Sequence, residues 1–202
     1  MLIFISGGVK GGKSMFAQYL ARSLNTEGTT LGYAATMIPY DEEDRKRIRR
    51  HISDRQGWGF RTYEEPSDVS SIIPLMGERE VVLLDSLTAL VQNNIFPDAE
   101  TIRSDVRAED ICEGIFELSE KAKDLIVVSD YIFSDAFIYD DVTELFRSVL
   151  GRCHCLIAER SDIVLECFFS NIKEWKNLRG TDLGPVKEHY YLNYDHLRYF
   201  DI

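Results

Sequence analysis

The sequence predicts an α/β protein built on a mainly parallel sheet covered by helices on both faces, and three observations carry that expectation. Short apolar runs alternate along the chain with longer amphipathic stretches, the pattern of strands buried on both faces and joined by crossover helices. The first apolar run leads at once into Gly7-Gly8-Val9-Lys10-Gly11-Gly12-Lys13-Ser14, which is followed by an amphipathic segment. A later run, Val81-Val82-Leu83-Leu84, closes on Asp85.

Taken in order, Leu2 to Ser6 is the first strand and Lys13 to Leu24 the first helix. Leu31 to Ala35 is the second strand, and Asp41 to Arg55 a highly charged helix. Val81 to Leu84 is a strand, with a helix starting near Ser86. Then come a helix over Ala108 to Lys123, a strand over Leu125 to Ser129, a helix over Val142 to Ala158 and a strand over Ile163 to Phe169. No repeat, low-complexity tract or linker interrupts the series, so residues 1–202 are expected to form a single nucleotide-binding domain. The stretch from Trp175 to Ile202 departs from the pattern. Gly180, Gly184 and Pro185 punctuate it, and Tyr190, Tyr191, Tyr194, Tyr199 and Phe200 crowd its end. It is expected to be an appended hairpin or C-terminal aromatic arm, about 175–202, whose rings serve core or subunit contact. A base-stacking platform would need more basic interleaving.

Composition narrows the function. With 45% hydrophobic residues, 11 Phe, 10 Tyr and 2 Trp in 202 residues, the chain can bury a sizeable core and is neither disordered nor fibrous. Thirty-four acidic against 23 basic side chains give a net charge of -11, which argues against broad binding to nucleic acid or anionic lipid. No apolar run approaches the roughly 20 residues of a membrane helix, so no membrane span is expected. The opening Met1-Leu2-Ile3-Phe4-Ile5 has no basic leader segment, and a cytoplasmic location is the expectation. Cys112, Cys153, Cys155 and Cys167 lack any Cys-x-x-Cys spacing and read as free thiols. Cys153-His154-Cys155 would point in three directions from a helix, which argues against a metal site there.

Gly7 to Ser14 fits G-x-x-x-x-G-K-[ST] between a strand and a helix, which makes the fold P-loop NTPase-like. Glycines let backbone N–H groups turn in around phosphate oxygens, and the helix starting at Lys13 adds its positive dipole end. Lys13 would reach the β- and γ-phosphates, and Ser14 would ligate Mg²⁺. Asp85, at the end of a hydrophobic strand, is the candidate second Mg²⁺ ligand; capping the next helix is its other role, and the two can coexist. In Asp41 to Arg55, acids open the helix and bases close it, as the macrodipole favours. Ile48 and Ile52, spaced i, i+4, form an expected anchor stripe. His51 lies in this cationic stretch, and the residues alone leave it either structural or a nucleophile toward an α-phosphorus.

This arrangement resembles the bifunctional adenosylcobinamide kinase and adenosylcobinamide-phosphate guanylyltransferase family. The resemblance rests on Gly7 to Ser14, then Tyr33-Ala34-Ala35-Thr36, then Asp41-Glu42-Glu43 with Arg47-Ile48 and His51, then Arg55 and Arg61 to Pro66. Leu83 to Thr88 with Asn93-Asn94, and Phe146-Arg147 with Gly151-Arg152, extend it over roughly residues 1 to 170. It implies that the enzyme first phosphorylates the aminopropanol hydroxyl of the corrinoid adenosylcobinamide, then transfers GMP from GTP through a guanylylated histidine, at the position of His51. GTP, or ATP for the kinase step, and Mg²⁺ are the implied cofactors. The implied nucleotide contacts are Gly7, Gly8, Val9, Lys10, Gly11, Gly12, Lys13 and Ser14; Ala35, Thr36 and Met37; Ile52, Ser53, Asp54 and Arg55; and Glu64 and Asp85. A homo-oligomer, a trimer, is implied as well. The chain departs from the family at Ser129-Asp130-Tyr131, where Ser/Thr-Asn-Glu is usual, and at Cys153-His154-Cys155 after Gly151-Arg152. A phosphoryl-only kinase of another small alcohol, with His51 structural, and a non-catalytic GTP-binding paralogue are the alternatives.

Overall fold

The computed structural model describes residues 1–169 and 171–193, with the backbone alone at residue 47. Seven strands form one sheet: β1 (Leu2–Gly7), β2 (Thr30–Ala35), β3 (Phe60–Glu64), β4 (Glu80–Asp85), β5 (Asp124–Asp130), β6 (Ile163–Phe168) and β7 (Asn171–Asn177). Their order is β3-β2-β4-β5-β1-β6-β7, with every neighbouring pair parallel except β6 and β7. Between them run α1 (Lys13–Leu24), α2 (Glu42–Asp54), α3 (Leu87–Ile95), α4 (Ala108–Lys121), α5 (Asp141–Arg160) and, after β7, α6 (Gly184–Asn193).

The central strands are apolar on both faces because both faces are covered. Ile3, Ile5, Leu83, Ile126 and Val128 pack with α1 and α6, around Phe16, Leu20 and Tyr190. Phe4, Val82, Leu84, Leu125 and Val127 pack with α3, α4 and α5 on the opposite face. The alternating pattern thus becomes the expected two-sided architecture.

Several elements differ from the sequence expectation. β3 was hidden in a polar stretch: three of its five residues, Arg61, Thr62 and Glu64, are exposed, as suits an edge strand. Residues 69–75 form a 3₁₀ turn started by Asp68, whose side chain accepts from the Ser70 N–H. The C-terminal arm does not begin at residue 175. β7 already belongs to the sheet as an antiparallel hairpin partner of β6, and α6 then returns to pack on α1. Tyr190 is fully buried against Phe16 with ring centroids 5.4 Å apart, so it serves the core, while Tyr191 is half-exposed. Tyr194, Tyr199 and Phe200 lie outside the described residues. The anchor stripe of α2 is also corrected. Ile48 is half-buried but Ile52 is 51% exposed, because α2 stands at the rim of the sheet and is held at its C-terminal end by Arg55.

Candidate active site

The carboxyl ends of the parallel strands bring the sequence-predicted residues together, where ligands of open α/β sheets bind. β1 ends in Gly7, whose backbone at φ 156° runs so close to β6 that an added Cβ would lie 2.1 Å from the Cys167 carbonyl oxygen. Only glycine fits there. The loop then folds back: Gly8 O accepts the Gly11 N–H at 3.1 Å. Gly12, at φ 89°, occupies the left-handed N-cap of α1. Gly8, Val9 and Lys10 are exposed along the crest, and Gly11 and Gly12 are half-buried. The Cys167 thiol donates to Gly11 O at 2.7 Å and supports the loop from β6.

Lys13 is only 6% exposed. Its ammonium donates to Gly8 O at 2.7 Å and to Asp130 Oδ1 at 2.8 Å. Ser14 Oγ donates to Asp85 Oδ1 at 3.2 Å, which sets two hard oxygen donors side by side from α1 and β4. That pairing fits Mg²⁺, which is typically held by one or two carboxylates together with substrate phosphates. Asp85 Oδ2 accepts from the Tyr33 hydroxyl at 2.9 Å, and the Arg55 guanidinium stacks 3.9 Å above the Tyr33 ring. A chain of contacts thus runs from the end of α2 through β2 and β4 to α1.

The other candidate residues surround this chain. Glu64, Ala35 and Asp85 stand side by side across three strand ends; Glu64 is exposed and Ala35 half-buried. Thr36 is fully buried. Its hydroxyl donates to Ser86 O at 2.7 Å and accepts the Ser86 N–H at 2.8 Å, so it braces the strand exit beside the cis peptide Asp85-Ser86. Asn93 Nδ2 donates to Thr36 O at 2.7 Å. Met37 and His51 are half-buried, Ile52 and Ser53 exposed, Asp54 half-buried and Arg55 buried. Asp41 caps α2 by accepting the Asp44 N–H at 2.8 Å, and Glu42, Glu43 and Asp44 occupy its first turn.

Sequence reasoning missed three contributors. Asp130 ends β5 as Asp85 ends β4, and the same signal, an apolar strand closing on an acid, would have found it. The roles of Tyr33 and of Thr88, whose Oγ1 accepts the Asp130 N–H at 2.8 Å, had no local signal. Deeper in, His154 lies between the Phe4 and Phe133 rings and shares a 2.7 Å hydrogen bond with Ser129 Oγ. Burial pushes its imidazole pKa down to about 4, against the opposing pull of Asp130. A separate cleft of about 270 Å³ opens beside Asp68, Leu90, Asn94, Arg107 and Asp110, and no phosphate-loop residue lines it.

Among solved structures, the chain is similar to a bare ATPase domain, with TM-score 0.53 and 12% identity over 89% of this chain and 78% of that one. The flagellar accessory protein FlaH from Methanocaldococcus jannaschii aligns with TM-score 0.44 and 15% identity over 87% and 78%. The first likeness shows a fold shared with an ATPase domain. No curated protein matches the chain. The model of the cobinamide kinase / cobinamide phosphate guanyltransferase family matches residues 3–169. With most of its length matched, the chain belongs to the cobinamide kinase / cobinamide phosphate guanyltransferase family, nucleotide-dependent transferases of cobalamin biosynthesis.

Proposed function

We propose that this chain performs both reactions at one nucleotide site, with GTP as guanylyl donor and His51 as the carrier of GMP. In the kinase step the acceptor hydroxyl of the corrinoid attacks the γ-phosphorus, and the nucleoside diphosphate leaves. Lys13 and the backbone N–H groups of Gly8 to Gly12 hold the phosphate oxygens and offset the charge that develops on them. In the guanylyl step an imidazole nitrogen of His51 attacks the α-phosphorus, a nitrogen–phosphorus bond forms, and pyrophosphate leaves. The corrinoid phosphate then attacks that phosphorus and frees His51. Ser14 and Asp85 would hold Mg²⁺, which supplies Lewis-acid neutralisation of the phosphates.

The observation that carries this reading is the contact chain from Arg55 over Tyr33 to Asp85 and Ser14. It ties the helix of His51 to the phosphate and metal side of the loop. His51 and Arg55 are i, i+4 and lie one turn apart on one helix face. Ala35, Met37 and Glu64 would line the nucleoside beyond the phosphates, and Thr36 would act by shaping the turn beneath it. The active unit in this reading is a homo-oligomer, a trimer as the family resemblance implies.

The experiment is to supply cobinamide and Mg²⁺ with GTP labelled at either the γ- or the α-phosphorus. His51→Ala should keep γ-label transfer to the corrinoid and lose α-label transfer. A variant that keeps both would make His51 structural, and a wild type transferring γ-label alone would select a phosphoryl-only kinase.

A further inference from the structure

Asp130 occupies a position that the reaction as described does not use. β5 lies between β1, which carries the phosphate loop, and β4, which carries Asp85, and Asp130 pairs with Gly7 in the β1–β5 register. Its backbone is tied on both sides: the Asp130 N–H donates to Thr88 Oγ1 at 2.8 Å, and the Tyr131 N–H donates to Gly7 O at 2.8 Å. The carboxylate is thereby set against the loop, where its hydrogen-bond partner among the described residues is the Lys13 ammonium. Both side chains are largely withdrawn from water, at 6% and 16% exposure, so the charges are weakly screened.

An ammonium has three N–H donors. Gly8 O and Asp130 Oδ1 take two of them, which leaves one for a phosphate oxygen. A polyphosphate bound at Lys13 therefore has the Asp130 carboxylate directly behind its cation, roughly 5 to 6 Å away from the shared oxygen by the sum of two hydrogen-bond lengths. Asp85 adds a second negative charge on the neighbouring strand. Lys13 is thus outnumbered by two carboxylates within the cradle, and Lys10 is on the exposed crest of the loop where water screens it. We propose that Asp130 is a positioning residue of the phosphate site: by holding and neutralising Lys13 it aims the ammonium and makes tight polyphosphate binding depend on a divalent cation. The proposal rests on the nucleotide site described above but not on His51. A carboxamide at position 130 keeps the oxygen that accepts from Lys13 and removes only the charge, so it separates aim from electrostatics.

The test is equilibrium binding of GTP and of inorganic tripolyphosphate to the full chain and to Asp130→Asn, each with excess chelator and with saturating Mg²⁺. The account expects metal-free affinity for both probes to rise about tenfold in Asp130→Asn, with less than about a threefold change when Mg²⁺ is present. Asp130→Glu, which keeps the charge, should stay as metal-dependent as the wild type. Unchanged metal-free binding in Asp130→Asn, or weaker binding under both conditions, overturns the proposal. Should the Asn variant fail to fold, Asp130→Ser removes the same charge and is read by the same ratio. Tripolyphosphate has no base and no α-phosphorus bearing a nucleoside, so its binding is independent of the guanylyl reading. A wild type that never carries GMP, alongside the expected shift in Asp130→Asn, would sink that reading and leave this one standing.

Discussion

The Tyr33 hydroxyl donates to Asp85 Oδ2 at 2.9 Å, joining neighbouring strands β2 and β4 at the point where the other oxygen of the same carboxylate meets Ser14. Asp85 is thus held by both oxygens before any metal arrives. Tyr33→Phe removes one of these bonds while keeping the ring under Arg55. A hydrogen bond to a charged group contributes roughly 1.5–3 kcal/mol. The Mg²⁺ concentration for half-maximal turnover should therefore rise about tenfold, read by metal titration. An unchanged midpoint would mean that Tyr33 does not orient the carboxylate.

Asp85→Asn and Ser14→Ala each take away one proposed metal donor. Turnover should fall about a hundredfold or more at fixed Mg²⁺, in line with the loss of a preorganised charge-stabilising group. Far-UV circular dichroism should stay native. Full activity in either variant would remove that residue from the metal site.

Gly7→Ala forces a methyl group to within 2.1 Å of the Cys167 carbonyl at a backbone angle that glycine alone adopts readily. Backbone must move, because the obstacle is itself backbone of the adjacent strand. Loss of about 3 kcal/mol or more of stability is expected in urea unfolding, together with loss of nucleotide binding. A variant as stable as the wild type would show that the strand pair opens easily.

His154 carries a pH-dependent contribution. Burial places its pKa at about 4, below the ordinary 6.5. Above pH 6.5 the ring is neutral folded and unfolded, and contributes no slope. Between pH 6.5 and about 4 the unfolded chain binds a proton that the folded chain refuses, so stability falls as pH falls, by about 3 kcal/mol in all. Urea midpoints measured across that range should flatten in His154→Gln relative to wild type. Parallel curves would assign the acid sensitivity to other groups.

Tyr190 joins α6 to the core beside Phe16, with no exposed surface. Tyr190→Ala should cost about 3 to 5 kcal/mol, as large aromatic truncations in packed sites do. If the melting temperature barely moves, α6 is an ornament on the sheet rather than part of its covering.

The fold and part of the site were legible in the sequence for physical reasons. Strands buried on both faces must be continuously apolar, so β1, β4, β5 and β6 announced themselves, and the phosphate loop needs glycines at fixed offsets. β3 and β7 flank the sheet at its edges and carry polar side chains, so they lacked that signal. The tail was read as an arm because turn residues obscured a short helix whose core contact depends on one tyrosine. In the site, Lys13, Ser14 and Asp85 come from local motifs, whereas Lys13 and Asp130 are 117 residues apart and meet only because β5 lies beside β1. The anchoring of α2 followed the same rule: an apolar stripe was visible in sequence, but the working contact is Arg55 on Tyr33, a pairing across elements.

The central claim is that His51 carries GMP. The most direct measurement is incubation of wild type and His51→Ala with Mg²⁺ and GTP labelled at the α-phosphorus, followed by a search for acid-labile, base-stable label on the protein. The account predicts label on the wild type and none on His51→Ala, with GTP binding intact in both. Equal label on the two proteins, or none on a wild type that binds GTP, would contradict it.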